Sequence, residues 1–161
     1  MITSIYRELL ITRPANTTAY TAGDVVGPST ATGGGVLTFS STGGDNLLFK
    51  ILSTEYRSDL AAVPASMTSF RLHLYSATPP SAYADNAVWD LPAGDRAAYM
   101  GYLDLGTPVD LGSTLYVKTN GINQGLALPQ GGTFFGYLVT AGGYTPTSAE
   151  TSFIRIYAEG I

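Results

Sequence analysis

Hydrophobic residues along this chain recur at every second position or sit in short runs, and glycine, proline and asparagine interrupt them at near-regular intervals. A period of two puts successive side chains on opposite faces of an extended backbone, so the pattern predicts strands rather than helices. Segments of this kind cover Ile5–Thr12, Thr17–Val26, Gly35–Ser40, Leu47–Arg57, Ser69–Ser76, Gly101–Asp104, Thr114–Thr119, Gly125–Leu128, Thr133–Thr140 and Thr151–Tyr157. In "SFRLHLYS" the alternation is clean: Phe70, Leu72 and Leu74 fall on a core face, with Arg71, His73 and Tyr75 on a surface or interface face. In "NLLFKILS" Leu47, Leu48 and Phe49 are consecutive, as in a central strand covered on both sides. Many short strands at regular spacing predict an all-β, antiparallel β-sandwich of the jelly-roll kind.

The punctuation supports this parsing. The stretches "TGGG" at 32–35, "TGGDN" at 42–46, "NG" at 120–121 and "AGG" at 141–143 supply residues that tolerate positive φ, and they are expected to close hairpins. The prolines at 14, 28, 64, 79, 80, 92, 108, 129 and 146 fall between the proposed strands, where a missing N–H breaks no ladder. One short helix is expected near 94–100, where Asp95-Arg96-Ala97-Ala98-Tyr99-Met100 joins good helix formers and Gly101 supplies a stop. No repeat or linker divides the chain, so residues 1–161 are expected to form a single domain. Met1–Pro14 reads either as an N-terminal arm or as the first strand.

Composition narrows the function. Charged residues make up 12% of the 161, against about 25% in an average soluble domain, so Thr, Ser, Gly, Asn and Tyr must build the surface. The net charge is −4, and Lys50 and Lys118 are the only lysines, which leaves no basic stretch to neutralise a phosphate backbone. Nucleic-acid binding is therefore not expected. No apolar run approaches the roughly 18 residues of a membrane helix. The N-terminal segment, with Arg7, Glu8 and Arg13 among its apolar residues, does not read as a signal peptide, and synthesis in a cytoplasm is expected. With no cysteine there is no disulfide and no zinc–thiolate site.

Candidate chemistry is sparse. His73 is the only histidine, and no nucleophile elbow, P-loop or dinucleotide fingerprint is present. Neither enzymatic activity nor a cofactor is expected. Asp85, Asn86, Asp90, Asp95, Asp104 and Asp110 could supply oxygen ligands to Ca²⁺, but their spacing is not that of an EF-hand, and turn or helix capping is the favoured role. The aromatic residues say more. Tyr83, Trp89, Tyr99 and Tyr102 gather around 80–102, where they fit core packing, a protein interface or a sugar-stacking platform. The scarcity of lysine also leaves sheet edges without their usual guard, so neighbouring chains, or else turns and bulges, must cover them.

The phrases "ITRPANTTAYTAGDVVG", "SFRLHLYSATPPSAYADNAVWDL", "YMGYLDLG" and "YTPTSAETSFIRIY" together resemble small structural proteins of tailed bacteriophages, most of all capsid decoration, or cement, proteins. The resemblance covers most of the chain and contains no catalytic signature. It implies a homotrimer made in the host cytoplasm that sits on the capsid surface of the virion, binds the major capsid (coat) protein and stabilises the shell. Phage tail, baseplate or head-fibre component is the alternative within virions, and carbohydrate-binding module the alternative outside them. On this reading Ile5, Tyr6 and Leu9 of the N-terminal segment, with Tyr83, Trp89 and Tyr99, are the first candidates for coat or subunit contact.

Overall fold

The first strand of the chain pairs with the last, and each later strand pairs one step further in. The computed structural model describes residues 4–40, 48–127 and 132–160, except for the side chains of Ser4 and Ile5. Strand β1 (Ser4–Thr12) lies antiparallel to β10 (Thr151–Gly160). The short β2 (Val25–Val26) and β3 (Leu37–Phe39) both pair with β9 (Phe134–Thr140). Strand β4 (Leu48–Ser58) pairs with β8 (Leu115–Ala127), and β5 (Phe70–Tyr75) with β6 (Tyr99–Gly106). A two-residue β7 (Val109–Asp110) hangs on the start of β8. Folding this nested hairpin over itself gives two sheets, ordered β1-β10-β4-β8-β7 and β2-β9-β5-β6, with β3 beside β9. This is the jelly-roll arrangement, an antiparallel β-sandwich.

Between the sheets lies the main core. Phe70, Leu72 and Leu74, fully buried, face Ile11, Tyr56, Ile154 and Ile156 of the other sheet, and Leu103, Leu105, Phe39 and Phe134 complete the layer. A second apolar cluster lies on the far side of β5 and β9. The connection 76–98 folds back across that face, so that its Tyr83, Trp89, Leu91 and Ala98, with Tyr99 of β6, pack on Val25, Tyr75, Tyr137 and Val139. Backbone bonds pin this cover down: Val25 N–H donates to Ala87 O (2.8 Å), Gly35 N–H to Tyr83 O (2.9 Å) and Trp89 N–H to Gly23 O (2.9 Å).

Several local expectations change. Of Thr17–Val26 only Val25–Val26 joins a sheet, and the residues before it form a loop whose Tyr20 turns inward. The segments Thr114–Thr119 and Gly125–Leu128 run together in β8. Asn120-Gly121 makes no hairpin turn: it opens a bulge inside β8, with Gly121 and Asn123 at φ +73° and +51°. The positive φ that favours a turn serves a bulge equally well. The stretch "TGGG" at 32–35 makes a turn that packs against 82–85, between two strands on the same side of β9, and "TGGDN" lies outside the described residues. The helix expected near 94–100 shrinks to one 3-10 turn, Ala93–Asp95, because Tyr99 and Met100 enter β6 and Ala98 O accepts Ser76 N–H (2.8 Å). A helix of two turns is too short to outweigh a sheet ladder that completes a buried layer.

The loops at one end are tied by a buried ion pair. Arg13 Nη2 lies 3.2 Å from Asp85 Oδ2, with both side chains out of water. Asp85 also accepts the Tyr20 hydroxyl (2.5 Å) and Gly27 N–H (3.0 Å), while Arg13 donates to Tyr20 Oη and to the carbonyls of Asn16 (3.4 Å) and Thr147 (3.3 Å). Removing one partner of such a pair strands a buried charge. Asp85→Ala is expected to cost about 3–5 kcal/mol in urea unfolding. The double replacement of Arg13→Met with Asp85→Leu should recover most of that loss; if the single variant lost under about 1 kcal/mol, the pair would not be what holds these loops.

Candidate functional site

The two sheets differ in what covers them. The outer face of β2-β9-β5-β6 lies under the 76–98 connection, whereas the outer face of β1-β10-β4-β8 has no layer of the described chain above it. Alternation sends Ile154 and Ile156 of "SFIRIY" into the core and Phe153, Arg155 and Tyr157 to the open face. Register then aligns side chains from four strands into rows. Tyr6, Tyr157, Ser53 and Asn120 form one row; Glu8, Arg155, Glu55 and Lys118 form the next; Leu10, Phe153, Arg57 and Tyr116, with Val109 of β7, form the third.

The middle row alternates in sign, and its neighbours are aromatic or apolar. Arg155 is the hub. It donates to Glu8 Oε2 through Nε (3.0 Å) and Nη2 (2.8 Å), lies 3.9 Å from Glu55 Oε2, and donates to Tyr157 Oη (3.1 Å). Tyr157 in turn donates to Glu55 Oε2 (2.9 Å). These hydrogen bonds to Tyr157 and Glu8 hold the Arg155 guanidinium still more firmly protonated than usual. Cations also sit over rings: Arg57 over Phe153 (4.3 Å to the centroid) and Lys118 Nζ over Tyr157 (4.8 Å). The network ties long side chains to one another, and side chains ordered in this way lose less entropy in any contact they make. At both ends of the third row apolar groups stay in water, with Leu10 62% and Val109 57% exposed. A shallow groove of about 280 Å³ runs beside that row, lined by Leu10, Arg57, Asp59, Thr151 and Phe153.

The residues singled out from sequence divide between the faces. Tyr6, 57% exposed, stands on the open face, and the side chain of Ile5 lies outside the described residues. Leu9, from the opposite side of β1, packs against the main core. Tyr83 and Trp89 are half-buried in the cover over the second sheet, and Tyr99 is half-buried at the start of β6 within that sheet. Leu10, Phe153, Arg57, Arg155 and Lys118, which sequence reasoning passed over, carry most of the open face. The alternation in "SFIRIY" was the available signal for Phe153 and Arg155. In β4 the register shift next to Leu52 blurred the same signal.

His73, expected at a surface or interface, points outward from its sheet but lies beneath the cover. Its ring stacks on Trp89 at 3.6 Å between centroids, and Nδ1 lies 2.9 Å from Tyr99 Oη. Burial, helped by the charge of Arg71, pushes its pKa from 6.5 down to about 4. The ring is therefore neutral at neutral pH, and its polar neighbour is a phenol where a triad would need a carboxylate. Among the described residues no group of His, Asp and Glu is placed to hold a metal ion, and no helix is long and apolar enough to cross a membrane.

Two expectations follow for solution. Because the folded His73 refuses a proton that the unfolded chain accepts, stability should fall as pH drops from about 6.5 to about 4, by at most about 3 kcal/mol. Glu150, pushed up by burial, works in the opposite sense as pH falls, so the comparison is with His73→Phe. Urea unfolding at pH 7 and pH 4.5 should show a smaller loss in that variant, and an equal loss would rule out His73 as the cause. On the open face, Leu10→Ser or Val109→Ser should change stability by less than about 0.5 kcal/mol while shortening retention on a hydrophobic column; a loss of about 2 kcal/mol would make these packing residues.

No protein-family model matches the sequence, and no curated protein matches it. Among solved structures, the chain is similar to a subunit in the structure of the infectious bursal disease virus Gx strain, at 12% identity and TM-score 0.41, over 98% of this chain and 32% of that one. It thus spans about a third of that subunit's length. It is also similar to a subunit of the native virion of Kashmir bee virus at acidic pH (16% identity, TM-score 0.31, 98% of this chain and 70% of that one). A third likeness is to a subunit of the semi-empty virus-like particle of Macrobrachium rosenbergii nodavirus (12% identity, TM-score 0.28, 100% of this chain and 94% of that one). The jelly-roll assignment rests on the strand order itself.

Proposed function

We propose that this chain is a non-enzymatic structural protein of a virus particle, and specifically a decoration protein that sits on the outer shell of a tailed phage and braces its coat subunits. One observation carries the reading: a jelly-roll domain covers one of its sheets with its own chain and leaves the other uncovered, with a preorganised aromatic and charged surface. Contact surfaces with this share of Tyr and Arg suit protein partners. Jelly rolls recur in viral shells, although also in lectins and cupins, so the site and not the fold must argue the role.

The mechanism is mechanical. A protein that binds only the assembled shell stabilises it by mass action, in proportion to its affinity and concentration. The whole chain acts as one domain, and the resemblance to decoration proteins adds the coat protein as partner and a homotrimer as assembly. A tail, baseplate or head-fibre role would use the same face at a single vertex. A carbohydrate-binding role built on Trp89 would need that ring free in water, and it is stacked on His73 instead.

Emptied shells of the parent particle are the test. Adding the purified chain is expected to raise their melting temperature, and Phe153→Ala combined with Leu10→Ser should weaken this effect without unfolding the protein. Shells that bind none of the chain, or that melt unchanged with it bound, would end the decoration reading.

A further inference from the structure

We infer that the open face of β1-β10-β4-β8 pairs with the same face of a second copy, about a two-fold axis parallel to the strands. The inference rests on the proposed structural role only in taking this face to be a protein contact; the partner is read from the charges themselves, and since a second copy and the coat would exclude each other on this face, the pair is a state of the chain free of the shell.

The middle row reads Glu8, Arg155, Glu55, Lys118 across neighbouring strands, negative and positive in turn. Its midpoint falls between β10 and β4. A two-fold axis lying over that midpoint and along the strands reverses the row, so Glu8 meets Lys118 of the second copy and Arg155 meets Glu55. All four contacts then join opposite charges, the two outer ones between exposed side chains and the two inner ones over a Glu55 that is only 8% exposed beside Tyr157 and Arg155. The other two-fold in the plane of the face, along the row, would set each charge on its own copy and is repulsive. Charge therefore selects one axis, and a C2 contact requires this kind of self-complementarity.

The flanking rows agree with the same operation. Phe153 comes to face Arg57 of the second copy, extending a ring–guanidinium contact already made within one chain at 4.3 Å. Leu10 comes to face Tyr116, and Tyr157 faces Ser53. Size sets the strength. Four strands at about 4.8 Å spacing give a face roughly 20 Å across, at the low end of specific interfaces. Association should therefore depend on concentration in the micromolar range and weaken with salt. Even-numbered assemblies are expected: a dimer, or a hexamer if a three-fold contact is also made elsewhere.

Exchange of charge between two variants tests this directly. Sedimentation velocity from about 1 to about 500 µM should show the parent chain dimerising. Glu8→Lys brings two ammonium groups together at the outer contacts of the row, and Lys118→Glu brings two carboxylates together there. Each variant alone should therefore stay monomeric at concentrations where the parent pairs. Mixed in equal amounts, with one of them labelled with ¹⁵N, they should form the heterodimer in native mass spectrometry. One outer contact of that heterodimer joins the introduced lysine to the introduced glutamate, and the other keeps the parent pair of Glu8 and Lys118, so both are attractive. Loss of the Glu8–Arg155 bond within one chain could not be repaired by mixing, and among the described residues Lys118→Glu breaks none of the face's ion pairs. A parent chain that remains monomeric or only trimeric throughout, or variants whose mixture fails to pair, would overturn the inference. A chain that braces shells but never pairs would leave the proposed function standing, whereas a chain that pairs but binds no shell would leave the pairing standing.

Discussion

Pairing of β1 with β10 constrains everything else, because it joins the chain's two ends and every inner pair nests within it. Contacts of such separation cost loop-closure entropy before they contribute, so they must bury a great deal at once. They do so through the fully buried Phe70, Leu72, Leu74 and Ile154 between the sheets. The same closure puts β10 between β1 and β4, and this position lines up Glu8, Arg155 and Glu55 from strands far apart in sequence.

Asymmetry between the two sheets follows from loop length. The connection from β5 to β6 is long enough to fold back over its own sheet, and its Tyr83, Leu91 and Trp89 bury His73, Tyr75 and Tyr137. Described loops around the other sheet gather at its end, where Arg13 and Asp85 tie them together, and none crosses its face. An apolar cover in cis thus takes one sheet face out of water and leaves the other open.

The β6 edge is managed without lysine. Along β6, positive-φ Gly101 and Gly106 accompany register shifts against β5, and Thr119 of β8 donates to Leu105 O at 3.1 Å. Register shifts and the Thr119 hydroxyl blunt that edge, the second of the two devices left open by the scarcity of lysine, after cover by neighbouring chains. Among the described residues strand β1 pairs on one side only, so its free edge adjoins the open face.

Period-two alternation, the proline positions and the lack of long apolar runs determined the strand content by themselves, since these depend on local backbone geometry. Phe70, Leu72 and Leu74 were legible as core for that reason. The outer face of the same strand was not: whether His73 and Tyr75 meet water depends on a connection that returns from another part of the chain. The bulge at Asn120-Gly121 and the short turn at Ala93–Asp95 were misread because a turn, a bulge and a helix end accept the same residues, and only the neighbouring ladder chooses among them. The charged row on the open face could not be read at all from one dimension. Its four members come from four strands, and only the tertiary register brings them within a few ångströms of one another.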